Sequence, residues 1–397
     1  MTDPDQPPLD QRGHPDPAGQ PQFSPLHDEH VNMGATFTDF AGWQMPVRYS
    51  SDLAEHRAVR TAAGLFDLSH MGEIFVVGPQ AAAALDYALA GNASAVQVGH
   101  AKYNLLLSRT GGIIDDLVVY RTGDDRFMVV ANASNRMTVA DELLSRAATF
   151  DAQVFDESGD VALIAVQGPA SLAIMQSVAG FAIEGGHPDG DDVAAALAEL
   201  RYYRSVAGLF NGEPLLFART GYTGEDGFEL YVAPDQAVEL WNALLEAGQE
   251  RGLVPAGLAS RDTLRLEAGM PLYGNELTLD TLPAQAGLGR VVNLSKPVDF
   301  VGRQASEDGP TADAPVLVGL VGDGKRAARA GYTVYAGDEQ VGVITSGALS
   351  PTLGHPIAMA YVPPRSAQPG TELSVDIRGT RLPFTVVALP FYSRKKN

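Results

Sequence analysis

The sequence predicts an α+β or α/β fold through about residue 290, joined to a small C-terminal β-barrel or sandwich. Strand-like and helix-like segments alternate through the first part. After a polar, Gly- and Pro-containing stretch near residues 304–314, a plausible linker, only short β-type runs remain, with turns every 8–12 residues. The chain has 397 residues, 45% hydrophobic and 19% charged, enough for two or three domains and a substantial core.

Met1 to Gln22 is rich in Pro, Asp, Gln and Gly and lacks an apolar signal core. It is too acidic for a mitochondrial transit peptide and reads as a disordered tail, with the cytoplasm as the default location. Order is expected from about Ser24. His27-Asp28-Glu29-His30 lies on a polar leading segment, where solvated or capping side chains are the expectation. Apolar residues near helical spacing predict helices at Pro79–Ala90, Ser134–Thr149, Ala170–Val178, Asp192–Leu200, Asp235–Arg251 and Gly257–Ala268. Strands are predicted at Ile74–Val77, Leu105–Ser108, Leu117–Tyr120, Phe127–Ala131, Val161–Gln167, Leu215–Arg219 and Phe228–Val232. The C-terminal runs are Val316–Val321, Thr333–Tyr335, Val341–Thr345, Ala358–Val362, Glu372–Ile377 and Leu382–Val387.

Composition removes several function classes. A formal charge of −20 argues against nucleic acid or an anionic membrane surface as the main partner. No run approaches the roughly 20 apolar residues that span a bilayer. The absence of cysteine removes disulfides, thiolate nucleophiles and Cys-based metal sites. No Ser-His-Asp arrangement, Walker motif or dinucleotide glycine fingerprint is present. His70 is placed to enter a pocket, but no partner carboxylate or nucleophile is readable beside it. Gln167-Gly168-Pro169 ends a strand and opens a helix, a structural turn.

The segment Gly111-Gly112-Ile113-Ile114-Asp115-Asp116-Leu117 carries the sharpest signal. Successive side chains of a strand point to opposite faces. One aspartate is therefore free to face solvent or shape the turn, while the other is directed into the protein. A carboxylate aimed inward among Ile113, Ile114, Leu117 and Val118 is costly unless paired, hydrogen-bonded or employed. Turn chemistry accounts for Asp115; Asp116 is either a second turn residue or an employed one.

Arg219-Thr220-Gly221-Tyr222-Thr223-Gly224-Glu225-Asp226-Gly227 joins two strands. Its glycines suit a long hairpin loop or the close approach of backbone to a ligand. Glu229, between Phe228 and Leu230 in mid-strand, favours the ligand: a carboxylate can accept two hydrogen bonds from an amidine-like edge such as a 2-aminopyrimidinone. Trp43, Tyr49, Tyr103, Tyr202, Tyr203, Tyr222 and Tyr273 lie in or beside these segments, consistent with a flat ligand stacked in a central cleft.

Taken together, these segments resemble the glycine cleavage system T-protein family of tetrahydrofolate-dependent aminomethyltransferases. The matching runs are DFAGWQMP at 39–46, GLFDLSHMGE at 64–73, GGIIDDLVVY at 111–120, QGP at 167–169 and RTGYTGEDGFEL at 219–230. PAGLASRDTLRLEA at 255–268, LYGN at 272–275 and TSGALSPTL at 345–353 complete the ordered set. The resemblance implies an α+β, three-domain cloverleaf around a central folate site. Two interleaved folate-binding domains would span 23–303 and a β-barrel or jelly-roll-like domain 310–397, with 1–22 as tail.

The resemblance also implies roles. The family's essential aspartate falls on Asp116, expected to face N5 of the folate while Asp115 mostly shapes the turn. Met71, Tyr103, Asn132, Tyr203 and Tyr222 are expected near the pterin, with Glu229 reading its aminopyrimidine edge. Arg261 matches a ligand position; a structural pairing with Glu267 or a strand-end carbonyl is its alternative. Tyr392 and Arg394 are expected to meet the benzoyl-glutamate tail, and Lys395-Lys396 offers a landing for an acidic protein. Tetrahydrofolate is the implied co-substrate, with no metal and no flavin. The implied partners are the lipoylated H-protein and, functionally, the P- and L-proteins. A folate-dependent demethylase and a non-catalytic folate-binding protein are the competing readings. The binding module of this fold depends on a Lys-Gly-Cys motif, which a chain without cysteine cannot carry.

Overall fold

The computed structural model describes residues 21–184 and 191–394. Helix α1 (His27–Asn32) leads to the hairpin β1 (Thr36–Phe40) and β2 (Trp43–Arg48), helix α2 (Asp52–Thr61) and strand β3 (Ala63–Asp67). Then come β4 (Gly72–Val77), α3 (Ala81–Ala88), β5 (His100–Leu107), β6 (Ile113–Gly123), β7 (Arg126–Ala131), α4 (Arg136–Ala147) and β8 (Gln153–Asp156). The next group is β9 (Ala162–Gln167), α5 (Ser171–Met175), β10 (Phe181–Ile183), α6 (Asp191–Glu199) and β11 (Ser205–Phe210). It continues through β12 (Glu213–Ala218), β13 (Gly227–Val232), α7 (Ala237–Gly248), β14 (Leu253–Pro255) and α8 (Leu258–Glu267). Helix α9 (Arg303–Asp308) precedes β15 (Val316–Gly322), β16 (Thr333–Ala336), β17 (Glu339–Leu349), β18 (Pro356–Val362), β19 (Glu372–Ile377) and β20 (Thr380–Val387).

The strands sort into sheets that do not follow chain order. A seven-stranded sheet runs β10-β11-β12-β13-β9-β3-β14, and a five-stranded sheet runs β5-β6-β7-β4-β8. The chain therefore leaves the first sheet after β3, builds the second, and returns with β9. β3 and β9 are neighbours in the sheet interior and every residue of both is buried, which explains their nearly unbroken apolar character. One face of each sheet packs against the other: Phe66, Leu163 and Tyr231 meet Phe75, Tyr120 and Met128 in one buried cluster. Leu277, Ala286 and Phe300 return to cover Leu105, Leu107 and Ile113. The last six strands close into a barrel because β15 pairs with both β18 and β20. Among the described residues no helix is long and apolar enough to cross a membrane.

Several expectations change. Gln22, assigned above to the tail, is hydrogen-bonded to Gly42 and Gln44 beside the first hairpin, while residues 1–20 lie outside the described residues. His30 is neither solvated nor a cap: it is fully buried, with Nε2 2.8 Å from Asp67 and Nδ1 3.0 Å from the Tyr49 hydroxyl. The linker begins as α9, docked so that Ala305 sits against the turn at Gly111. That turn needs both glycines. Gly111 has φ +84°, and a Cβ on Gly112 would lie 1.7 Å from the carbonyl oxygen of Leu279.

One buried carboxylate ties the barrel to two helices at once. Glu267, fully buried at the end of α8, accepts bonds from Ser350 Oγ (2.5 Å) and Thr352 Oγ1 (2.7 Å) of the barrel. It also faces Arg60 Nη2 at 2.9 Å and His56 Nε2 at 3.2 Å, both from α2. Burial alone would raise its pKa. The bond and charge of His56, with Ser350 and Arg60, overcome that and hold it at about 2. A carboxyl with a depressed folded pKa adds stability that is complete above its ordinary value of 4.5 and is lost as pH falls toward about 2. Glu267→Ala is expected to cost about 3–5 kcal/mol, because it removes the buried carboxylate that Arg60, His56, Ser350 and Thr352 share, leaving Arg60 with Glu225 as its one remaining ion-pair partner among the described residues. Urea denaturation at neutral pH reads that loss. Across pH 4.5 to 2 the stability of Glu267→Gln should fall less steeply than that of the parent, and equal slopes would refute the assignment.

Candidate active site

Between the two sheets, closed on one side by residues 269–275, lies a cavity of about 800 Å³. β6 delivers its most consequential wall. Asp116, Val118 and Tyr120 alternate onto the cavity face, as strand geometry requires. Asp116 Oδ2 accepts from the Tyr103 hydroxyl (2.9 Å) and Oδ1 from Nδ2 of Asn132 (3.0 Å). Tyr103 belongs to the neighbouring strand β5, and Asn132 follows β7. Burial raises the Asp116 carboxyl to about 6 despite these two donors, with the charge of Glu276 acting in the same direction.

Asp115 is not a turn residue. A register shift opposite Leu106 and Leu107 marks a bulge before it, and its side chain is fully buried on the opposite side of the strand. There it accepts from Asn132 N (3.0 Å), Asn132 Nδ2 (2.8 Å) and Asn135 Nδ2 (2.7 Å). Asn135 precedes α4 at the N-cap position, yet its side chain makes no capping bond and reaches Asp115 instead. Burial and the neighbouring Asp116 charge push the Asp115 carboxyl up to about 7, against the bonds from Asn135 and Asn132. The sequence signal was the pair of asparagines just before the helix, Asn132 and Asn135.

Across the cavity stand Glu229 and Arg261. Glu229 Oε2 accepts from Thr220 Oγ1 and, at 3.3 Å, from the Tyr120 hydroxyl, so its other oxygen has no protein partner among the described residues. Its pKa is raised by burial. The Arg261 guanidinium lies 4.7 Å over the Tyr222 ring and makes no ion pair among the described residues. Pairing with Glu267, the alternative weighed for Arg261, does not occur, because Arg60 and His56 hold that carboxylate. Tyr222 is itself anchored by its hydroxyl to the carbonyl of Pro271. The glycines of the 219–230 loop answer mainly to Gln167. A Cβ at Gly221 or Gly227 would come within 2.0 or 2.3 Å of its buried amide, which bonds Thr220 O and Thr223 Oγ1.

Met71, Tyr103, Asn132, Tyr203 and Tyr222 all line the cavity. Tyr203 does so with φ +61°, a rare conformation for an aromatic residue and one that clusters at functional sites. Tyr392 and Arg394 do not line it. Tyr392 lies under the Arg60 guanidinium, 4.1 Å from it, and Arg394 pairs with Asp226 at 3.4 Å. Lys395-Lys396 lies outside the described residues. Of the wider aromatic set only Tyr103, Tyr203, Tyr222 and Tyr273 reach the cavity. Tyr120, Thr220, Tyr231 and Asn275 were missed; for Tyr120 the clue was its place four residues after Asp116 on the same strand face. His70, set aside for want of a partner, is also in the wall, and burial lowers its pKa to about 4, which keeps it neutral at physiological pH. Among the described residues no group of three or more His, Asp or Glu could hold a metal ion.

Comparison with known proteins agrees with this architecture. The GCVT N-terminal domain family matches residues 26–296, and the glycine cleavage T-protein C-terminal barrel domain matches 316–393. An aminomethyltransferase of Cutibacterium acnes is 58% identical over 94% of this chain and 98% of its own length. One from Streptomyces coelicolor is 56% identical, covering 94% and 97%. The crystal structure of glycine cleavage system aminomethyltransferase T from Bartonella henselae superposes with a TM-score of 0.82 at 37% identity, covering 94% and 98%.

The raised carboxylates make the site a local cost to stability. A carboxyl whose folded pKa lies above its ordinary value of 3.8 imposes no ionisation penalty below that value, and the full penalty above its folded value of about 6. Asp116→Asn removes the charge at nearly constant volume. Its melting temperature relative to the parent is expected to become more favourable between pH 4 and pH 8, and a difference that does not change with pH would contradict this.

Proposed function

The chain belongs to the glycine cleavage T-protein family, and from that premise we propose that its cavity is the site of a tetrahydrofolate-dependent aminomethyl transfer. The chain is an aminomethyltransferase. The donor in this reading is the aminomethyl group on the dihydrolipoyl arm of the H-protein, a thioether R–S–CH2–NH2. Tetrahydrofolate is the acceptor. The products are the free thiol R–SH, ammonia and 5,10-methylenetetrahydrofolate, so the reaction balances without metal or flavin. The P- and L-proteins are the functional partners, and the cytoplasm is the location the reading implies.

The observation that carries the reading is Asp116, held in the cavity wall by Tyr103 and Asn132, with Glu229 and Arg261 sharing the same space. The residues suit a reduced pterin. Among the described residues Glu229 keeps one oxygen without a protein partner, able to accept from the 2-amino and N3 hydrogens, and Arg261 offers donors to a carbonyl. Tyr103, Tyr203 and Tyr222 supply flat apolar surface. As ammonia leaves, positive charge develops on the transferred carbon. A carboxylate fixed by two hydrogen bonds stabilises that charge without reorganising, and the same group orients N5 for attack. With a pKa near 6, Asp116 is ionised at neutral pH and still able to take a proton.

The test supplies aminomethylated H-protein and tetrahydrofolate and measures ammonia and methylenetetrahydrofolate together. Asp116→Asn is expected to lower the rate by about 100-fold or more, and the rate limb near pH 6 should disappear from its profile. Full activity in Asp116→Asn would remove Asp116 from the mechanism. Turnover of a free methylated donor without any use of H-protein would reassign the chain to demethylation.

A further inference from the structure

Asn132 is the hinge between the two aspartates. Its Nδ2 lies 2.8 Å from Asp115 Oδ1, 3.0 Å from Asp116 Oδ1 and 3.0 Å from the Asp116 carbonyl oxygen. All three are acceptors, and two are carboxylate oxygens, so the amide nitrogen must face them and the flipped amide is excluded by acceptor–acceptor repulsion. Its backbone N–H is engaged as well, by Asp115 Oδ2 at 3.0 Å. What remains is the carbonyl oxygen Oδ1, which has no protein partner among the described residues in a side chain that lines the cavity. Asp115 supplies two of these bonds, is fully buried, and is anchored in turn by Asn135.

We infer that Asp115 is a positioning residue: it holds the amide nitrogen of Asn132 against the two carboxylates, so that Asn132 offers the cavity an acceptor and no donor. The inference deepens the folate reading and rests on it. A reduced pterin carries hydrogens on N5 and N8 and can donate to that oxygen. In the fully oxidised ring both nitrogens are bare acceptors, and one brought against the Asn132 oxygen is repelled. The Asp115–Asn132 lock therefore discriminates by ring oxidation state. A site built around a ligand N–H rejects the analogue that lacks it more strongly than an apolar contact could. In Asp115→Asn the shortest of the three acceptors is replaced by an amide that can donate to Asn132 Oδ1, so only the two Asp116 oxygens still hold the Asn132 nitrogen and the fixed polarity is weakened.

Equilibrium binding of tetrahydrofolate, kept reduced, and of folic acid to the full-length chain decides the matter. The parent is expected to prefer tetrahydrofolate. Asp115→Asn and Asp115→Ser should reduce the ratio of the two affinities by about tenfold or more, as should Asn132→Ala. A purely structural role for Asp115 would lower both affinities together and leave their ratio in place. Folded Asp115 variants, judged by circular dichroism, that keep the parental ratio overturn the inference. So does an unchanged ratio in Asn132→Ala, which also decides the case if neither Asp115 variant folds. A parent that binds neither compound would point to failure of the folate reading itself.

Discussion

The bonds converging on Glu267 are the constraint on which the arrangement of the whole molecule rests. One carboxylate without access to water collects Arg60 and His56 from α2 and Ser350 and Thr352 from the barrel. Its own helix, α8, also carries Arg261 into the cavity wall and Arg265 into a buried pair with Glu276. Glu276 in turn accepts from the backbone of Leu272, within the segment that closes the cavity. The angle at which α8 meets the barrel is thereby coupled to the position of the cavity's cation and to its far wall. Burying so many charges contributes little net stability, but each group left without its partner would be costly, which makes the geometry specific.

The cavity inverts that logic. At Glu267 the fold supplies enough donors to hold an ion. At Asp116 and Glu229 it supplies too few to offset burial, so both pKa values rise. Arg261, in the same cavity lining, has an aromatic face beneath it and, among the described residues, no carboxylate in contact. Groups held in this way are poised to meet charge or hydrogen-bonding edges on a ligand. Natural sites of this kind commonly trade stability for function.

Much of this was legible because periodicity is local. The predicted strands and helices of residues 74–268 fall within a few residues of those observed, and so do the six C-terminal β runs. The hairpin β1–β2 and strand β11 escaped although their partners are adjacent; other misses depended on a partner distant in sequence. β3 reads poorly as a strand by itself because it is fully buried, without the alternation of a half-exposed strand, and its edge partners β9 and β14 are remote in sequence. His30 looked solvated because Asp67 and Tyr49 are remote in sequence. In the site, alternation correctly separated the two aspartates, but it could not say that the second surface was also buried. Asp115 was assigned to the turn for that reason, when the asparagines beyond β7 claim it. Tyr392 and Arg394 lie outside the cavity lining, where Arg60 and Asp226 hold them, contacts that sequence position alone does not reveal.

The detour of the chain between β3 and β9 has a consequence for how the molecule is made. On an elongating chain β3 emerges early, but its antiparallel neighbour follows nearly a hundred residues later and its parallel neighbour β14 almost ninety after that. Until then two edges of a mostly apolar strand lack their partners, while the five-stranded sheet downstream can complete itself from nearby segments. Late, non-local pairing of this type is slow and exposed to aggregation. The net charge of −20 then has a second effect on the nascent protein: like-charged copies repel one another while β3 waits.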